Sequence, residues 1–290
     1  MITAIHSYHS NSILFAEVVI SKAGIWPHNA GMNPDSNPDP VPNSSAISDT
    51  TSNAVVPSGF LGVVMLDTRF PRLPGDIGHP DAFGVPASLR VVKGAWPDKV
   101  VQSGAGLRAG RVVPAFVFVV RAMERDGARA ITTSCGFLVL LQKELQAAVK
   151  VPVVTSSLLQ LPGLLATHPK VGVLTISAGK LGAEHLRAAG VPRERLKDVV
   201  VQGVDPKGEF ANAILGNRLY MDVIQTSAEV VAAAVALKKR EPSLSHVVLE
   251  CTNMPPYRDA IEAATGLKTW ALTDDERLTR PFSHALKSKP

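Results

Sequence analysis

The sequence is poor in the residues on which several architectures depend. It has two cysteines in 290 residues, Cys135 and Cys251, too few for the dense disulfide framework of a small secreted domain. Neither has a second Cys or a His at zinc-ligand spacing beside it. Aromatic residues make up 5% of the chain, and its Lys and Arg residues are scattered rather than striped, a poor footprint for nucleic acid. No apolar run approaches the roughly 18 residues that read as a membrane span. The longest, around Val112–Val120 and Val230–Leu237, are far shorter. The N-terminal stretch lacks the basic start and small-residue cleavage site of a secretory signal, and Glu17 interrupts its best apolar run. These absences predict a soluble, cytoplasmic protein that engages neither nucleic acid nor membrane.

What is present is enough apolar material for a sizeable core. The hydrophobic share is 46%, the charged share 19% and the mean hydropathy +0.14, which excludes a wholly disordered chain. The length fits one large domain or two modest ones. Net charge is +5, yet residues 1–58 hold only one basic residue, Lys22, against four acids. The rest of the chain is therefore basic, which favours anionic substrates. Residues 31–58 are rich in Asn, Pro, Ser, Asp and Thr, a composition that cannot offset its own ordering entropy. Residues 1–58 are expected to be a disordered extension.

From Phe60 onward short apolar runs alternate with amphipathic stretches. Strands are expected at 60–66, 128–133, 151–155, 170–176, 199–202 and 247–251. Helices are expected at 112–125, 136–149, 158–167, 180–189, 218–240 and near 256–265. This alternation predicts parallel βαβ units. A break near Thr167–Lys170 divides them into two α/β domains, 59–168 and 169–266, with 267–290 available to return to the first.

Ligands of parallel sheets bind beyond the carboxyl ends of the strands. Three such ends are chemically marked: Asp67-Thr68, Thr132-Thr133-Ser134-Cys135 and Glu250-Cys251-Thr252-Asn253. Both thiols follow a strand and precede a helix, where free amides favour thiolate and can hold a carboxylate. A single buried Cys is usually a small core residue. Two at matching junctions in successive halves read instead as a functional pair.

The stretch Thr133-Ser134-Cys135-Gly136-Phe137, paired with Glu250-Cys251-Thr252-Asn253-Met254-Pro255-Pro256-Tyr257, resembles the aspartate/glutamate racemase superfamily. That resemblance implies two pseudo-symmetric three-layer α/β domains with parallel sheets and the active site in the cleft between them. It also implies that Cys135 and Cys251 act without any cofactor, one removing a Cα proton and the other returning one on the opposite face. In these racemases Asn-Thr commonly follows the first Cys. Gly136-Phe137 here implies a less polar or bulkier substrate than free aspartate. A second set of residues is similar to the dimethylsulfoniopropionate lyase branch of the same superfamily. It comprises the run Leu66–Pro80, Arg90–Ala95, Gln102-Ser103-Gly104, Leu159–Pro162 and the two cysteine motifs. In that branch a Cys removes the Cα proton and the β substituent leaves as dimethyl sulfide.

Donors around the developing carbanion are needed because a thiol is a weak base for a carbon acid. Thr68, Ser134, Thr175, Ser177 and Thr252 are candidates, with Asp67, Gly136, Phe137 and Asn253 completing the expected substrate-binding set. The leading expectation is a cofactor-independent racemase or isomerase acting on a small carboxylate, with β-elimination by the same cysteines as the alternative. No metal is expected, and the family resemblance implies a homodimer. Two other classes remain open. Gly104–Gly110 has GxGxxxG spacing, a weak dinucleotide signal. A non-catalytic solute-binding protein would need no paired thiols. The Gly75–Pro80 loop reads first as a turn and second as a flap over the cleft, with His79 more readily a surface or capping histidine than a substrate contact.

Overall fold

Apolar runs without alternation need cover on both faces, and parallel sheets provide it. In the computed structural model, which describes residues 59–109 and 112–283, Phe60–Leu66 forms β1 and is buried from Leu61 onward. Beside it lie β2 (Ala87–Val92), β3 (Ala128–Thr133) and β4 (Val153–Val154), in the order β2-β1-β3-β4 with every pairing parallel. The second sheet repeats the plan. Its strands are β5 (Val171–Thr175), β6 (Val199–Gly203), β7 (His246–Leu249) and β8 (Lys268–Trp270), ordered β6-β5-β7-β8 and again all parallel. The α/β class and the repeated parallel-sheet architecture are therefore present.

The repeat extends to packing. In the first strand of each sheet a glycine admits a residue of the helix preceding the third strand. A Cβ on Gly62 would lie 2.8 Å from Met123 Sδ, and one on Gly172 would lie 2.9 Å from Leu237 Cδ2. Met123 belongs to the helix Val113–Arg125 and Leu237 to Val223–Arg240. One core runs from Val64 and Ile131 through Phe137 to Val173, Leu237 and Val248, joining the two sheets. On the other face of the first sheet Leu272, Leu278 and Phe282 pack with Leu61, Val63 and Ile77. The segment after Leu267 thus divides: its first residues form the edge strand β8, and the turns beyond cover the first sheet.

Several elements differ from the sequence expectation. The stretch expected as one helix over 136–149 is a 3₁₀ helix, Gly136–Leu141, followed by an α-helix, Gln142–Ala148. The long helix begins at Val223 because Asp222 caps it, accepting from Gln225 N, while Asn217 before it is left-handed (φ 50°). The dinucleotide reading fails on geometry. Gly104–Ala109 is helical, and the Gly104 N–H already donates to Glu184 Oε1 at 2.6 Å, so a carboxylate occupies the position a phosphate would need. β2, β8 and the helix Glu209–Leu215 are additional elements. The extension expected over residues 1–58 lies outside the described residues. Among the described residues no helix is long and apolar enough to cross a membrane.

Candidate active site

Cys135 follows β3 and Cys251 follows β7, the corresponding third strands of the two sheets. The turns that carry them are tied together. Ser134 N donates to Val64 O, and Ser134 Oγ accepts from Leu66 N at 2.9 Å, anchoring the first turn to β1. Thr252 Oγ1 then donates to Ser134 O at 2.8 Å. Glu250 N is held by Leu174 O, and Ser157 Oγ donates to Leu249 O at 2.7 Å, so the second turn is fixed from both sides.

Both cysteines line one cavity between the sheets, with a volume of about 20 Å³. That is room for about one water molecule between the walls as they stand. Thr68, Ser134, Gly136, Phe137, Thr252 and Asn253 line it with them. Its apolar wall adds Phe70, Ile176 and Ile214. Phe137 is held edge-on by His185 at 4.9 Å between ring centroids. That imidazole accepts a hydrogen bond from Gly182 N at Nδ1 and faces Gln102 O with Nε2; burial lowers its pKa.

Three expected residues lie elsewhere. Asp67 turns away, its Oδ2 accepting from Gly94 N at 2.9 Å and Oδ1 facing Lys93; the Gly94 N–H, more than the lysine, lowers its pKa. Thr175 stands one step behind the cavity, donating to Glu250 Oε2 at 2.7 Å. Ser177 does not reach the wall, and its N–H donates to Thr175 Oγ1. The Gly75–Pro80 loop does approach the second cysteine turn, through Ile77 N to Thr252 O. It brings Asp76 rather than His79, whose Nδ1 accepts from Asp81 N instead.

Two acids complete the site. Glu250 is 1% exposed and lines the cavity. It packs so closely on the first cysteine turn that a Cβ on Gly136 would lie 2.3 Å from both its carbonyl oxygen and Oε1. Glycine is required there, which explains Gly136 directly after Cys135. Burial pushes the Glu250 carboxyl up to about 7, against the opposing Thr175 hydroxyl. Asp76 is 2% exposed and accepts from Asn253 Nδ2 through Oδ2. Its Oδ1 is held by Arg72 Nη1 and Gly78 N.

The thiols do not behave as the helix-start expectation requires. Burial, reinforced by the charge of Glu250, pushes Cys135 up to about 12, and the N–H groups of Phe137 and Leu138 recover only part of that. Cys251 is raised well above the ordinary thiol range by the same two causes in the same order. Desolvation outweighs the helix end because both cysteines are almost sealed, at 7% and 6% exposure. Chemically, the arrangement is two neutral thiols and a carboxyl that burial pushes up to about 7, around one small apolar space. Among the described residues no cluster of three or more His, Cys, Asp or Glu is placed to hold a metal ion.

Glu250 was recognisable in sequence as a charged residue continuing the apolar run Val247–Leu249 directly before the thiol. Asp76 gave no such signal, since its partner Asn253 lies 177 positions away.

Comparison with known proteins agrees with this layout. No family model matches the chain. A dimethylsulfoniopropionate lyase of Durusdinium sp. clade D is 32% identical over 217 residues, covering 72% of this chain and 70% of that protein. Dimethylsulfoniopropionate lyase 7 of Emiliania huxleyi is 29% identical over 224 residues, covering 71% of this chain and 62% of the relative. In fold, the chain is similar to glutamate racemase from Francisella tularensis, solved with D-glutamate. The TM-score is 0.50 at 13% identity, covering 80% of this chain and 82% of the other. The fold is that of the aspartate/glutamate racemases, and by its relationship to the Durusdinium enzyme the chain belongs to the dimethylsulfoniopropionate lyase family.

Proposed function

We propose that this chain is a lyase that needs no cofactor, removing the proton on the carbon next to a carboxylate and expelling a β-sulfonium group, as from dimethylsulfoniopropionate. The observation that carries this reading is the convergence of Cys135, Cys251 and Glu250 on one small, largely apolar cavity. Burial leaves the thiols protonated, so one must be discharged before it can act. Glu250 is the neighbouring acceptor: its carboxylate takes the Cys135 proton, giving a thiolate of high basicity in a dry site. The thiolate removes the Cα proton, the electron pair forms the Cα–Cβ double bond, and the Cβ–S bond breaks with its electrons on sulfur. Acrylate and neutral dimethyl sulfide result, and the proton on Glu250 passes to water. The sulfonium methyl groups suit the wall of Phe70, Phe137, Ile176 and Ile214, and the one negative charge that passes between Glu250 and Cys135 offsets their positive charge.

A second reading is racemisation. It shares the first step and differs in that Cys251 returns a proton to carbon. The placement of the cysteines in corresponding turns of the two halves favours it, as does the likeness in fold to a racemase. Incubation in deuterium oxide with dimethylsulfoniopropionate, amino acids and hydantoins separates the two. Acrylate with headspace dimethyl sulfide is the expected result. Deuterium at Cα without olefin favours racemisation, and neither product from any substrate overturns both.

A further inference from the structure

Asn253 stands two residues after Cys251 and cannot titrate, so its contribution depends on which end of its amide faces the sulfur. The far end of a hydrogen-bond chain decides this. Arg72 Nη2 donates to Thr68 Oγ1 at 2.6 Å, and Nη1 donates to Asp76 Oδ1 at 2.9 Å. Gly78 N adds a second bond to the same Oδ1 at 2.7 Å. The remaining oxygen, Oδ2, faces Asn253. A carboxylate oxygen accepts and does not donate, so the Asn253 atom against it is Nδ2. That leaves Asn253 Oδ1 toward Cys251, where it accepts from Sγ at 3.7 Å. An amide oxygen can receive this contact only from a protonated thiol.

We propose that Asp76, anchored by Arg72, is a positioning residue that fixes the Asn253 amide so that Cys251 is held as a protonated thiol and Cys135 is left as the base. This assignment rests on the reading of the two cysteines as the proton-transfer pair. The two sulfurs differ accordingly. Cys251 Sγ has an amide oxygen to donate to at 3.7 Å, a contact its thiolate would lose, and among the described residues Cys135 Sγ has no such acceptor. The other groups acting on Cys251 are Glu250 beside it in the chain, Cys135 across the cavity, the backbone N–H of Asn253, Tyr257, and Asp76 itself.

Asp76→Asn tests the device because it reverses it. The oxygen of the new amide must stay where Arg72 and Gly78 donate, so its NH₂ group faces Asn253. The Asn253 amide then turns over and presents Nδ2–H to the sulfur. The measurement is the ¹³Cβ shift of labelled cysteine against pH in the full chain carrying Cys135→Ser, in which Cys251 is the one remaining cysteine. Asp76→Asn is expected to lower the Cys251 midpoint by about one unit or more. With Asn253→Ala also present, the same substitution is expected to lower it by less than half as much. An equal fall in both backgrounds means that Asp76 acts through its charge alone and overturns the proposal, as does no fall at all. Independently of any variant at position 76, the Asn253 Hδ2 protons are expected to show nuclear Overhauser contacts to Asp76 Hβ and none to Cys251 Hβ. The reverse pattern overturns the orientation. No arm uses substrate, so a protein that fails to turn over dimethylsulfoniopropionate can still show the Cys251 shift, and the two failures remain distinguishable.

Discussion

Glu250 is the residue whose chemistry depends most on where the fold puts it. Its carboxyl is free at about 4.5 in an unfolded chain and is pushed up to about 7 in the folded one. The folded state therefore binds this proton more tightly. The resulting stability is fully present below pH 4.5 and is lost as pH rises through 7, a difference of about 3 kcal/mol. Urea melts of the wild type and Glu250→Gln from pH 4 to 8 are expected to show the wild type losing stability relative to the variant across that window. Parallel curves would remove the buried carboxyl from the account. At this scale the sequence was partly legible. Two thiols at matching junctions are local signals, and they located two of the groups that meet in the cavity; Glu250 also carried a local signal, a carboxyl at the end of an apolar strand, but no role was read from it. The direction of the thiol shifts was not legible. Free amides at a helix start are a sequence feature, but the loss of solvent that outweighs them is produced by distant residues such as Phe70, Ile176 and Ile214.

At the level of elements, the turns after strands do the positioning, and one of them spans the cleft. Asn217, left-handed at φ 50°, receives Arg69 N on Oδ1 at 2.6 Å and gives Nδ2 to Asp67 O at 3.0 Å. It thereby fixes the chain leaving β1 against a turn of the second half. Asn tolerates this backbone better than other residues carrying a Cβ, and its side chain satisfies both groups at once. Asn217→Ala is expected to cost about 2 kcal/mol in a urea melt, since it loses both bonds and adds backbone strain. Asn217→Gly should recover only the strain. Equal stability of all three would show the bridge to be idle. The buried strands β1 and β5 were legible because runs of Val and Leu admit few other solutions, and β3 because it leads into the marked Thr-Thr-Ser-Cys turn. β2 was not, because at the sheet edge its Leu89 and Val91 stay partly exposed and a charged Arg90 interrupts the run. The start of the long helix was misplaced because Asp222, not the first apolar residue, sets it.

For the whole molecule, a duplicated sheet order places two chemically similar turns around one space, and the same design serves racemases and lyases. Sequence reasoning put racemisation first and elimination second. The relationship to dimethylsulfoniopropionate lyases, together with two thiols in unlike settings, moves the weight to elimination. The most direct test is dimethyl sulfide release from dimethylsulfoniopropionate by the full chain and by Cys135→Ser and Cys251→Ser, each checked for an unchanged melt. Loss of the base is expected to cost about 10²–10⁴-fold in Cys135→Ser, with a smaller but clear loss in Cys251→Ser. Release by folded Cys135→Ser at the wild-type rate would contradict the role given to that sulfur.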